Sequence, residues 1–123
     1  MSCILLIDDE PTLRDMYRQL LIRAGYEVCE ACDGGEGLQQ FQTHPVDLVL
    51  TDMCLPKQDG FALLRTLRTQ TPAVKIVAMS GGGQMGDTDL LTQAASLGAD
   101  RIFQKPIPLM DLLAMVRELL GEA

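Results

Sequence analysis

Tryptophan is absent, and aromatic residues make up only 4% of the 123-residue chain. Any core must therefore be assembled from Leu, Ile, Val, Met and Ala, which are plentiful in a sequence that is 47% hydrophobic. Positive charge is scarce too: 10 Lys and Arg face 17 Asp and Glu, a formal net charge of −7. A nucleic-acid surface wants a basic stripe, and an anionic membrane wants clustered Lys and Arg, so neither is an expected partner. No apolar run reaches the 18 or so residues of a membrane span. The N-terminus lacks a basic region followed by an apolar stretch and a cleavage site, so no signal peptide is expected. Repeats, low-complexity tracts and linkers are missing as well, which leaves one domain over residues 1–123 and no effector domain. A chain of this size buries roughly two-thirds of its unfolded surface and needs no disulfide or metal to fold.

Four cysteines are present, Cys3, Cys29, Cys32 and Cys54. Without a secretory signal they are expected as reduced thiols in a cytoplasmic protein. Cys29 and Cys32 form a C-x-x-C, "CEAC". Redox pairs of this kind open a helix, whereas "YEVCEACDG" reads as a strand ending in a turn, where residues three apart face opposite sides. Zinc would need two more ligands, and no second C-x-x-C exists. Small apolar packing is the better reading.

What the chain does have is alternation. Strand-like runs are expected at Cys3–Ile7, Tyr26–Ala31, Asp47–Thr51, Val74–Ser80 and Arg101–Gln104. Three of them are nearly continuous in apolar residues, as strands buried on both faces of a parallel sheet are. Helical spacing appears between them. Leu13, Met16, Tyr17, Leu20, Leu21 and Ala24 precede Gly25; Leu38 and Phe41 mark a second helix; Leu63, Leu64 and Leu67 mark a third. Leu90, Leu91, Ala94 and Leu97, ended by Gly98, mark a fourth. The last has a core stripe of Leu109, Leu112, Leu113, Val116 and Leu120, with Met110, Ala114, Met115, Arg117 and Glu118 outward. Five strands alternating with five helices predict an α/β domain with one parallel sheet.

Ligands of such sheets bind beyond the carboxyl ends of the strands. There the sequence places Asp8-Asp9 after strand 1, Thr51-Asp52 after strand 3, Ser80 with three glycines after strand 4, and Lys105-Pro106 after strand 5. Asp33-Gly34 after strand 2 reads as an ordinary turn. Taken singly, each acid reads as a cap or a turn residue. Together they repel: two carboxylates about 4 Å apart cost roughly 4 kcal/mol at an effective dielectric near 20. A cation among them removes that cost. Mg²⁺, with hard oxygen ligands and retained waters, fits, with Asp9 and Asp52 as direct ligands and Asp8 acting through water.

The stretches "LLIDDEP", "DLVLTDMCLPKQDG", "IVAMSG" and "GADRIFQKPI" together closely resemble the receiver domain of two-component response regulators, over Ser2 to Gly121. The resemblance implies strand order 2-1-3-4-5 in a flavodoxin-like fold. It implies that Asp52 accepts a phosphoryl group from the phosphohistidine of a sensor histidine kinase or a histidine phosphotransfer protein. It implies Mg²⁺ held by Asp8, Asp9, Asp52 and the backbone carbonyl of Cys54, with Lys105 and Ser80 contacting the phosphoryl group. It also implies a cis Lys105–Pro106 bond. Such a module carries out its own phosphorylation and dephosphorylation chemistry, at the border of enzymology. The family's usual aromatic three residues before the lysine is Ile102 here. The loop "SGGGQMGDTD" is longer and richer in glycine than is usual. Output is expected through a surface made by the fourth helix, strand 5 and the last helix, with Ile102 at its centre and an unidentified protein target. A scaffold that works without phosphorylation is the alternative, and the intact Asp8, Asp9, Asp52, Ser80 and Lys105 speak against it. Acids after strand 1 would repel a flavin phosphate, which disfavours a cofactor binder of the same fold.

Overall fold

The computed structural model describes residues 2–53, 60–81 and 95–121. Its elements are β1 (Cys3–Ile7), α1 (Pro11–Arg23), β2 (Glu27–Ala31), α2 (Gly34–Thr43), β3 (Leu48–Asp52), α3 (Gly60–Gln70), β4 (Lys75–Gly81), β5 (Arg101–Lys105) and α4 (Leu109–Leu119). All five strands run parallel in one sheet of order β2-β1-β3-β4-β5. The continuously apolar runs β1, β3 and β4 are its three inner strands, and every residue of β1 and β3 is buried. The outer strands β2 and β5 carry exposed residues, because only one neighbour covers each edge.

Alternate residues of the strands serve two cores. Ile4, Leu6, Leu48, Leu50, Val77, Met79 and Phe103 face Tyr17 and Leu21 of α1 and Leu112, Leu113 and Val116 of α4. On the other side Leu5, Ile7, Val49, Ile76 and Ala78 meet Leu63, Leu64 and Leu67 of α3, with Leu38 and Phe41 of α2 packed against them. Helices pack on both faces of the sheet.

Strands β2 to β5 begin or end one residue later than their apolar runs, since Asp52, Gly81 and Lys105 still pair in the ladder. Four helices are described rather than five. The fourth expected pattern begins at Leu90, Leu91 and Ala94, which lie outside the described residues. Its end is described: Ala95 and Ser96 are helical, Leu97 packs on the second core, and Gly98 has φ of 107°, a left-handed conformation that favours glycine. Asp33 does more than turn the chain. It is the N-cap of α2, accepting the Glu36 N–H at 2.8 Å, while Glu36 accepts the Cys32 N–H at 2.7 Å. Two apolar positions differ from their expected faces in the core stripes. Met16 is 46% exposed, and Leu109, in the first turn of α4, is 36% exposed. Conversely, Met115 is half-buried against the first core rather than outward. No helix among the described residues is long and apolar enough to cross a membrane.

Candidate functional site

Strand β1 delivers Asp8 to the carboxyl edge, where it is fully buried. All its polar groups are engaged. Its N–H donates to the Ala31 carbonyl at 3.1 Å, and its carbonyl accepts from Arg14 Nη1 at 2.6 Å. Asp8 Oδ1 accepts the Glu10 N–H at 2.9 Å, which holds the turn into α1, where Pro11 is the first helical residue. Asp9 follows, exposed. Asp52 closes β3 and is 3% exposed. One carboxylate oxygen from each of Asp8, Asp9 and Asp52 lies within 4.8 Å of the others.

The repulsion inherent in that cluster already has a partial answer in the chain. Lys105 Nζ donates to Asp52 Oδ2 at 2.8 Å and to Asp8 Oδ2 at 3.0 Å, from a side chain only 8% exposed. Burial works to lower the lysine's pKa, but the hydrogen bonds and charges of Asp52 and Asp8 outweigh it and raise it above the ordinary value. The ammonium is thus locked in its charged form. Lys105 comes from the end of β5, and its peptide bond to Pro106 is cis, as expected. Ser80, also fully buried, is the penultimate residue of β4, level with Gln104. Asp8, Asp9, Asp52 and Lys105 therefore meet, with Ser80 on the same strand edge. Cys54 and the glycine-rich loop from Gly82 onward lie outside the described residues. Hard carboxylate oxygens without a nitrogen or sulfur donor among them suit Mg²⁺.

Two supports of the site escaped the sequence reading. Gly60 opens α3 directly behind Asp52: a Cβ there would stand 2.6 Å from Met53 Cα and 3.0 Å from the Asp52 carbonyl oxygen. Only glycine permits that approach. Arg14 lies on the buried side of α1, three residues before Tyr17 and seven before Leu21, and reaches the Asp8 backbone. A charged residue in register with an apolar stripe was the available signal.

The cysteines are distributed as packing rather than as a redox pair. Cys29 faces Cys3 of β1, sulfur to sulfur at 3.8 Å, while Cys32 is exposed beyond the end of β2. That separation is nearly twice a disulfide bond of about 2.05 Å.

Residues 4–117 match the sequence model of the response regulator receiver domain. The chain is 36% identical over 122 residues to the DNA-binding dual master transcriptional regulator RpaA of Synechocystis sp., covering 98% of this chain and 49% of that protein. It is 31% identical over 119 residues to a Rhizobium etli protein described as "Probable chemotaxis protein CheY", covering 96% of this chain and 92% of that one. Among solved structures, a receiver domain from Clostridium thermocellum superposes with a TM-score of 0.89 at 32% identity, over 98% of this chain and 95% of that chain. The chain belongs to the response regulator receiver domain family. It spans about half the length of the first curated relatives that it matches, 45% to 49%.

Proposed function

We propose that this chain is a phosphoacceptor switch whose acceptor is Asp52. The observation that carries the reading is a buried carboxylate at the sheet's carboxyl edge, held by a buried lysine and flanked by two further acids. A carboxylate oxygen of Asp52 attacks phosphorus of a phosphohistidine on a sensor kinase or histidine phosphotransfer protein. The P–N bond breaks, the imidazole leaves, and an acyl phosphate forms. Little covalent help is needed for such transfers; positioning and charge neutralisation dominate. Lys105 releases the Asp52 oxygen and contacts the arriving phosphoryl oxygens, and the Ser80 hydroxyl donates to one of them. Asp8, Asp9, Asp52 and the Cys54 carbonyl would hold Mg²⁺, which would supply charge neutralisation for the transfer. We place the chain in the cytoplasm, where its thiols would stay reduced.

Output leaves through the face carrying β5 and α4, to which the sequence pattern adds the fourth expected helix as an expectation. Exposed apolar side chains support this choice: Ile102 is 39% exposed and Met110 is 70% exposed. A protein partner covers them. Incubation with acetyl phosphate and Mg²⁺ tests the acceptor. Intact mass is expected to rise by one phosphoryl group in the wild type and to stay unchanged in Asp52→Asn. Equal labelling of both would remove Asp52 from the role.

A further inference from the structure

Four groups hold Asp8, and one of them is a side chain from α1. Arg14 donates from Nη1 to the Asp8 carbonyl at 2.6 Å and from Nε to Glu30 Oε1 at 3.3 Å. Glu30 sits on β2 next to Ala31, whose carbonyl accepts the Asp8 N–H. The other Glu30 oxygen faces Arg18 Nε at 3.5 Å, and Arg18 in turn donates to Asp15 Oδ1 at 2.6 Å. The Arg14 side chain is 21% exposed, so its guanidinium is committed to these partners rather than to solvent.

The oxygen that Arg14 grips belongs to the peptide joining Asp8 to Asp9. That peptide is planar, so fixing its oxygen also fixes the nitrogen and the departure direction of Asp9. Asp9 is exposed, and no side-chain hydrogen bond of its own aims it among the described residues. We propose that Arg14, braced by Glu30, is a positioning residue that aims the Asp8–Asp9 peptide and so sets the divalent-cation affinity of the acid cluster. The proposal rests on the reading that these acids hold Mg²⁺.

A second role for Arg14 predicts the reverse. As a mere cation near three acids, it would compete with Mg²⁺, and its removal would tighten binding. Lysine separates the two roles: it keeps the charge but has no fork to meet the Asp8 carbonyl and Glu30 together. Calorimetric titration of this chain with Mg²⁺ decides between them, with circular dichroism of each apo variant as the folding control. Arg14→Gln and Arg14→Lys are each expected to bind Mg²⁺ about ten- to a hundredfold more weakly, the range typical for outer partners of metal ligands. Glu30→Gln is expected to shift in the same direction by less, because Arg14 keeps the Asp8 contact. Tighter binding by Arg14→Gln with wild-type binding by Arg14→Lys overturns the proposal, and so does binding within twofold of wild type in both. If Arg14→Gln fails to fold, Arg14→Lys and Glu30→Gln carry the comparison, and wild-type affinity in both overturns it. Absence of Mg²⁺ binding by the wild type would sink the underlying reading, a result distinct from unchanged affinity in the variants.

Discussion

Lys105 is shared between two buried carboxylates, and its loss removes an ion-pair partner from each. Removing one partner of a buried ion pair typically costs about 3–5 kcal/mol. Lys105→Met is therefore expected to lower apo stability by roughly 3 kcal/mol, with much of the loss restored by Mg²⁺; thermal melts with and without the ion check this. A loss that Mg²⁺ leaves untouched would show that the lysine supports folding through packing alone. Proton linkage adds an alkaline signature. Burial, then the Cys29 hydrogen bond and the charges of Cys29, Glu27 and Asp47, push the Cys3 thiol from 9.0 up to about 12. The folded state thus keeps a proton that the unfolded state gives up, so this contribution is complete below the unfolded value and fades as pH rises from about 9 toward 12. Lys105, also raised, adds to the fall above its unfolded value of about 10.4. Denaturant melts across pH 8–11 are expected to show stability declining, and Cys3→Ala to flatten the first part of the decline. Much of the site was legible at this scale because its residues are chemically conspicuous: acids and a lysine stand at the ends of apolar strands. Arg14 was not, since its main target is a backbone oxygen, and no residue type announces such a partner.

Strand β3 and helix α3 meet behind Asp52 at Gly60. Its added Cβ would press on Met53 Cα at 2.6 Å, a backbone atom that no rotamer change can remove. Overpacking of this kind costs about 1–3 kcal/mol. Gly60→Ala is expected to lose that much stability and to phosphorylate more slowly, because the Asp52 carbonyl must shift; a melt and an acetyl phosphate time course measure the two effects. Unchanged labelling in a destabilised variant would detach Gly60 from the site. The elements themselves were readable from periodicity, and for a physical reason. Inner strands buried on both faces can tolerate few polar residues, so β1, β3 and β4 stood out as runs. Their ends did not, because ladder pairing continues into Asp52, Gly81 and Lys105, where hydrophobicity has already stopped. Helix faces were read less well near their termini. Leu109 fits the α4 stripe by spacing yet emerges into solvent at the first turn. Arg68 shows another limit. It donates to the carbonyls of Pro72, Val74 and Gly98 and to Asp100 Oδ2 at 2.6 Å, tying α3 to the start of β4 and the approach to β5. Helical spacing alone reads it as one more surface cation.

The molecule has two unlike poles. At the amino edge of the sheet, Arg68 and Asp100 and the Asp47 carboxylate on the Cys3 N–H fasten strands together. At the carboxyl edge, charge is gathered and only partly balanced, while the cores on either face keep both edges at fixed spacing. The lysine that balances Asp8 lies 97 residues further along the chain, and 53 residues beyond Asp52. This separation sets a schedule for assembly. β1 and β3 are neighbours and can pair early, which brings both acids together before β5 has arrived with its ammonium. Contacts so distant in sequence form slowly, so the growing sheet passes through an interval of unrelieved repulsion. A divalent cation from solution can fill that interval. Refolding by dilution from urea is therefore expected to run faster with millimolar Mg²⁺ than without it, and stopped-flow tyrosine fluorescence, undisturbed by any tryptophan, can follow it. An unchanged refolding rate with slower unfolding would mean that β5 docks first. In the other case, an ion drawn to the acid cluster serves as a temporary understudy for Lys105 while the sheet is being made.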